Sequence, residues 1–130
     1  MSDYEYHEPW EKLPDDAKNF HRALKSLQEE LEAVDWYHQR ASVSTDEPLK
    51  AVLGHHRDEE IEHACMLLEW LRRNMPAWDE KLKIYLFTEA PITRIEEEAE
   101  GRPAGDVPEG HKSGNGKLPE MKIGKLPKAG

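Results

Sequence analysis

From Phe20 to Val34 the large apolar residues Phe20, Leu24, Leu27, Leu31 and Val34 are spaced four, three, four and three apart. That spacing returns to one side of a helical wheel and predicts an α-helix with a single apolar stripe. Pro14-Asp15-Asp16 supplies its start signal. The run Ala41-Ser42-Val43-Ser44-Thr45-Asp46 is expected to end it near Arg40, since short polar side chains compete for backbone hydrogen bonds. Glu47-Pro48 opens a second helix, which runs to about Asn74 through Leu49, Leu53, Leu67 and Leu71 and stops at Pro76. A shorter third helix is expected from about Ala77 to Phe87. Thr88-Glu89-Ala90-Pro91 interrupts it, and Ile92 to Glu100 reads as a final helical turn or two.

The flanks carry no such period. Residues 1–13 are polar and aromatic and read as a flexible lead-in, with a helical domain over 14–100. From Gly101 the composition turns to Gly, Pro and Lys. A segment of that kind cannot bury enough apolar surface to order itself, so 101–130 is expected to be a disordered tail. Within it Gly-Lys-Leu-Pro occurs twice, at 116–119 and at 124–127.

Charge sharpens this division. The chain has 18 Lys/Arg and 27 Asp/Glu, a formal net charge of −9, with the excess acid in the helical part and a net positive tail. An acidic body disfavours nucleic acid and favours cations. At 130 residues the chain allows one small domain, for which association is a natural source of stability. Cys65 is the single cysteine, so no intrachain disulfide forms. No apolar h-region opens the chain and no run approaches about 18 apolar residues, so neither a signal peptide nor a membrane span is expected, and the protein is expected to be cytoplasmic.

The chemistry lies in Arg57-Asp58-Glu59-Glu60-Ile61-Glu62-His63. Glu60 and His63 form a Glu-x-x-His pair, and residues three apart on a helix can reach one ion together. On the second helix Glu60 falls about 20° from Leu53, in the middle of the apolar stripe. A carboxylate there needs a cation, a proton or a metal. On the first helix Glu30 lies about 60° from Leu27, on the flank of the stripe. Glu30 and Glu60 stand at similar distances from the hairpin turn, roughly 18–20 Å, and so at matching heights. One chain thus offers Glu30, Glu60 and His63 to a common point, half of the ligand set of a four-helix di-iron protein. Two chains about a two-fold axis would complete it.

Other readings stay open at this stage. Glu60 could pair with Arg57 or with an arginine of a partner chain, leaving His63 a core histidine and the protein a structural adaptor. The same residues could instead hold a single zinc ion. His56 points toward the same face as a supporting or structural residue. Tyr37 lies on the Glu30 side, where it can hydrogen-bond a ligand, tune the site or simply pack. Glu29 and Glu32, with Trp36, form an opposite face that could attract incoming cations or be merely solvated. A tryptophan on such a face points to cover by another subunit.

Glu29-Glu30-Leu31-Glu32-Ala33-Val34-Asp35-Trp36-Tyr37, the run 57–63, Leu68-Glu69-Trp70-Leu71-Arg72-Arg73-Asn74 and Tyr85-Leu86-Phe87-Thr88-Glu89-Ala90-Pro91-Ile92 together resemble the encapsulated ferritin family, across roughly residues 18–97. The resemblance implies an all-α fold: an antiparallel two-helix hairpin that becomes a ferritin-like four-helix bundle on dimerisation, with a short C-terminal helix. It implies five dimers closed into a decameric ring. It further implies a ferroxidase centre of Glu30, Glu60 and His63 binding iron at the dimer interface, flanked by Tyr37 and Trp36, with Glu29 and Glu32 as a secondary metal-entry site. The activity implied is oxidation of Fe(II) to Fe(III) by dioxygen, with mineral stored inside an encapsulin nanocompartment. Ile123-Gly124-Lys125-Leu126-Pro127 resembles the peptides that target such cargo to the shell. Lys125 and Pro127 depart from the common pattern, and the copy at 116–119 offers either a second contact or none. A conventional self-storing ferritin does not fit, because one chain of this length lacks its four helices.

Overall fold

The computed structural model describes residues 5–101. The tail and its Gly-Lys-Leu-Pro repeat lie outside them. The described residues are all-helical: a short 3-10 turn at Trp10–Lys12, then α1 (Asp15–Val43), α2 (Glu47–Asn74), α3 (Pro76–Tyr85) and α4 (Ile92–Glu100). They fall into two compact units that divide between Leu71 and Arg72.

In the first unit α1 and most of α2 form an antiparallel hairpin. Phe20 meets Trp70 with ring centroids 5.7 Å apart, Tyr37 meets His56 at 5.2 Å, and Arg57 Nη1 stands 3.1 Å from His38 Nδ1. Phe20 near the start of α1 meets Trp70 near the end of α2, whereas Tyr37 near the end of α1 meets His56 in the first half of α2, a reversal of order that only antiparallel helices give. α1 runs three residues past the expected stop at Arg40. The reason is Ser42, whose hydroxyl donates to the His38 carbonyl at 2.7 Å and so supports the last turn instead of breaking it. α2 is capped by Asp46, whose Oδ1 accepts the Leu49 N–H at 2.9 Å.

The hairpin is closed by small residues. Ala23 and Ala41 on α1 and Ala64 on α2 are buried, whereas Leu24 and Leu31 of the expected stripe stay 42% and 56% exposed. The stripe is therefore split. Part of it packs within the hairpin, and part remains open together with Val52, Ile61, Met66 and Trp70 of α2.

The lead-in is not structureless where it is described. The Tyr6 ring packs 5.0 Å from Trp10 and 4.8 Å from His21. Lys18 and Arg22 lie over the Trp10 ring at 5.1 and 5.5 Å, and Lys25 pairs with Glu5 at 3.4 Å. These contacts tie the segment to the first turns of α1, and aromatic packing of this kind leaves no periodic mark in a sequence.

In the second unit Pro76 starts a helix as well as stopping one. Met75 alone is extended (φ −132, ψ 108), as the residue before a proline must be, and Pro76 then sits at the first position of α3. Asp79 in that first turn accepts hydrogen bonds from Arg72 and from Lys83 Nζ, the latter at 2.8 Å. These two bonds, Lys83 first, hold its carboxyl below the usual carboxylate value. α3 ends at Tyr85, two residues before the expected Phe87. Phe87 itself adopts φ 60, the left-handed region, and is 77% exposed. α4 is in contact with α3 and buries Ile95.

Candidate metal centre

Glu30 comes from the middle of α1, and Glu60 and His63 from one face of α2, one turn apart. The fold brings all three together. Their ligand atoms lie within 4.8 Å of one another, with His63 Nδ1 3.4 Å from Glu60 Oε2 and 3.7 Å from Glu30 Oε2. Bonds to a first-row ion are about 2.0–2.2 Å long, so two ligands of one ion stand at most ~4.4 Å apart. Small side-chain movements close the remaining gap. No other described group of three His, Cys, Asp or Glu residues gathers in this way.

The three groups perturb one another's ionisation. Glu30 is raised above its ordinary value, first by its hydrogen bond with Glu60, then by burial and the Glu60 charge. Glu60 is lowered, first by the same hydrogen bond. Of the two carboxyls, Glu30 is therefore the one that takes up a proton first as the pH falls. At His63 partial burial works downward. The hydrogen bond to Glu60 and the charges of Glu30, Glu60 and Glu59 outweigh it, so the imidazole is raised. Glu30 and Glu60 keep 25% and 24% of their side-chain surface, and His63 keeps 46%, so the open edge of the site lies at the histidine.

Arg57 does not pair with Glu60. Its guanidinium is engaged by Asp58, with Nη2 at 2.9 Å, and by His38. Tyr37 is half-buried on the turn side of the triad, between His56 and the Arg40 guanidinium, which lies 5.4 Å from its ring centre. Trp36 is 48% exposed and lines a shallow hollow of about 280 Å³ with Gln39 and Arg40. Glu29 and Glu32 are exposed and stand outside the triad. Cys65 is a free, exposed thiol. The sequence reading passed over His38 and Arg40. Their contacts depend on which side chains meet across the hairpin, and no spacing within one helix encodes that.

The chain is similar to several known proteins. The family model described as EncFtn-like matches residues 5–89. A ferritin-like protein of Thermotoga maritima is 61% identical over 97 residues, 75% of this chain and 85% of that protein. An encapsulated ferritin-like protein of Rhodospirillum rubrum is 62% identical over 90 residues, 69% of this chain and 64% of that protein, just under two thirds of its length. Among solved structures, protein ne0167 from Nitrosomonas europaea superposes with a TM-score of 0.65 at 59% identity, covering 67% of this chain and 96% of that one. Among the described residues no helix is long and apolar enough to cross a membrane. With the family model matching well over half of its length, the chain belongs to the EncFtn-like family of encapsulated ferritin-like proteins.

Proposed function

We propose that the protein is a ferroxidase that oxidises Fe(II) to Fe(III) with dioxygen at a di-iron centre shared by two copies of the chain. The observation that carries this reading is the meeting of Glu30, Glu60 and His63 at one point. Three ligands from one chain are too few for two ions. A second copy related by a two-fold axis doubles them to four carboxylates and two imidazoles, a donor set suited to a di-iron pair. The same copy would cover apolar residues that the single hairpin leaves open, among them Leu24, Leu31, Met66 and Trp70.

Iron is the substrate as well as the bound ion. To bind the ion Glu30 must be ionised and His63 neutral, so that each presents a lone pair. The carboxylates then hold the ion with negative charge, which favours the ferric over the ferrous state. Half-exposed His63 marks the side on which ions exchange. Glu29 and Glu32 would draw cations toward the assembled protein, and Trp36 and Tyr37 would line the centre. The name of the Rhodospirillum rubrum relative, an encapsulated ferritin-like protein, further supports a role as cargo of an encapsulin shell in the cytoplasm. The decameric ring of dimers and a shell contact near Ile123 to Leu126 rest on the resemblance of the sequence alone.

Aerobic oxidation of Fe(II), followed optically for the wild type, Glu60→Ala and His63→Ala, tests the reading. Rapid saturable oxidation lost in both variants supports it, and equal slow oxidation in all three overturns it. Co-purification with an encapsulin, with and without residues 115–130, tests the cargo role separately.

A further inference from the structure

We propose that His56, itself exposed, is a positioning residue, which pins the ring of Tyr37 on the turn side of the metal centre. The proposal rests on the ferroxidase reading. Tyr37 lies two turns beyond Glu30 on the same face of α1, and His56 lies one turn before Glu60 on α2. Across the hairpin their rings meet at 5.2 Å and 79°, an edge-to-face pair. The Arg40 guanidinium holds the tyrosine ring from another side at 5.4 Å. Tyr37 is thus fixed by one contact from its own helix and one from the opposite helix.

His56 differs from its neighbours in what it does with its ring. His55 Nε2 stands 2.9 Å from Glu59 Oε1, and His38 Nδ1 takes the Arg57 guanidinium at 3.1 Å. Among the described residues His56 makes no hydrogen bond or ion pair, and its contacts are those of a ring: Tyr37 at 5.2 Å and His55 at 6.4 Å. The charged group it acts on is Glu60, which its charge helps to lower. A shape role and a charge role therefore compete, and they predict different variants. If the ring matters, phenylalanine replaces it; if the charge matters, phenylalanine is as bad as alanine.

The test compares initial rates of aerobic Fe(II) oxidation by full-length His56→Ala, His56→Phe, Tyr37→Ala and the His56→Ala/Tyr37→Ala double variant. Losing an edge-to-face contact of this kind is expected to slow oxidation roughly 3- to 10-fold in His56→Ala. His56→Phe is expected to recover most of that loss, and the double variant to be no slower than Tyr37→Ala alone, because His56 acts through the tyrosine. Fluorine NMR of protein carrying 3-fluorotyrosine supplies a readout independent of iron. The Tyr37 line, assigned by its absence in Tyr37→Ala, should move in His56→Ala and return in His56→Phe. An unchanged rate in His56→Ala, multiplicative losses in the double variant, an unmoved Tyr37 line, or His56→Phe no better than His56→Ala each overturns the proposal. A wild type that oxidises no iron overturns the ferroxidase reading along with it, whereas an active wild type with indifferent His56 variants overturns the proposal alone.

Discussion

His63 Nδ1 lies 3.7 Å from Glu30 Oε2, although the whole hairpin turn separates the two residues along the chain. The contact depends on the register of α1 against α2. Removing either end should therefore cost more in metal binding than in folding. For Glu30→Ala or His63→Ala, anaerobic Co(II) binding should weaken by at least about 100-fold, since even residues that merely support metal ligands cost 10–100-fold. Far-ultraviolet circular dichroism should show helicity retained, because none of the three side chains is buried.

Acidity should oppose binding over an unusually wide range. Glu30 keeps its proton above the ordinary 4.5, and His63 keeps its proton above the ordinary 6.5. A divalent ion must displace both, so the protonated forms compete on the acid side of each raised value. Affinity should climb with pH from the carboxylate range and level off only above 6.5, not at it. Titration calorimetry in buffers of different ionisation enthalpy checks this through the protons released per ion. Release that does not fall as the pH is raised past neutrality would contradict it.

The open apolar positions should separate assembly from folding. Leu71 is fully buried at 0% exposure, so Leu71→Ala should cost about 2–5 kcal/mol of stability. Leu31 and Met66 are 56% and 61% exposed in the single chain. Leu31→Asp and Met66→Asp should leave a helical protein that sediments as a smaller species. Variants that assemble like the wild type would remove these side chains from any subunit contact.

Much of this was legible along the chain, for a definite reason. Glu30, Glu60 and His63 reach one point because both helices are regular, and a regular helix converts residue number into height and angle without further information. The same regularity placed α2 between Glu47 and Asn74. Where a single side chain decides, spacing was silent. Ser42 bonds backward to His38 and lengthens α1; the Asp46 side chain caps α2; Pro76 begins α3 with only Met75 between it and the end of α2 at Asn74. The division of the apolar stripe was hidden too. Leu24 and Leu27 look alike in a hydropathy pattern, and only the opposing helix decides which is covered.

Phe87 offers a test of backbone strain. A bulky residue at φ 60 costs about 1–2 kcal/mol relative to glycine, and its ring is 77% exposed. Phe87→Gly should raise the thermal midpoint if that ring lies idle in the assembled protein. A lowered midpoint would mean that a neighbouring chain uses the ring.

The buried alanines Ala23, Ala41 and Ala64 carry a consequence for how such a centre can be tuned. A methyl group has no rotamers, so the gap it sets between two helices is a fixed gauge, unlike one set by leucine or methionine. Ala23 stands two turns from Glu30, and Ala64 adjoins His63. The reach required of the ligands is thus calibrated by residues that never touch an ion. Exchanging one alanine for glycine or serine would narrow or widen the grip, retuning ion preference while every ligand stays in place.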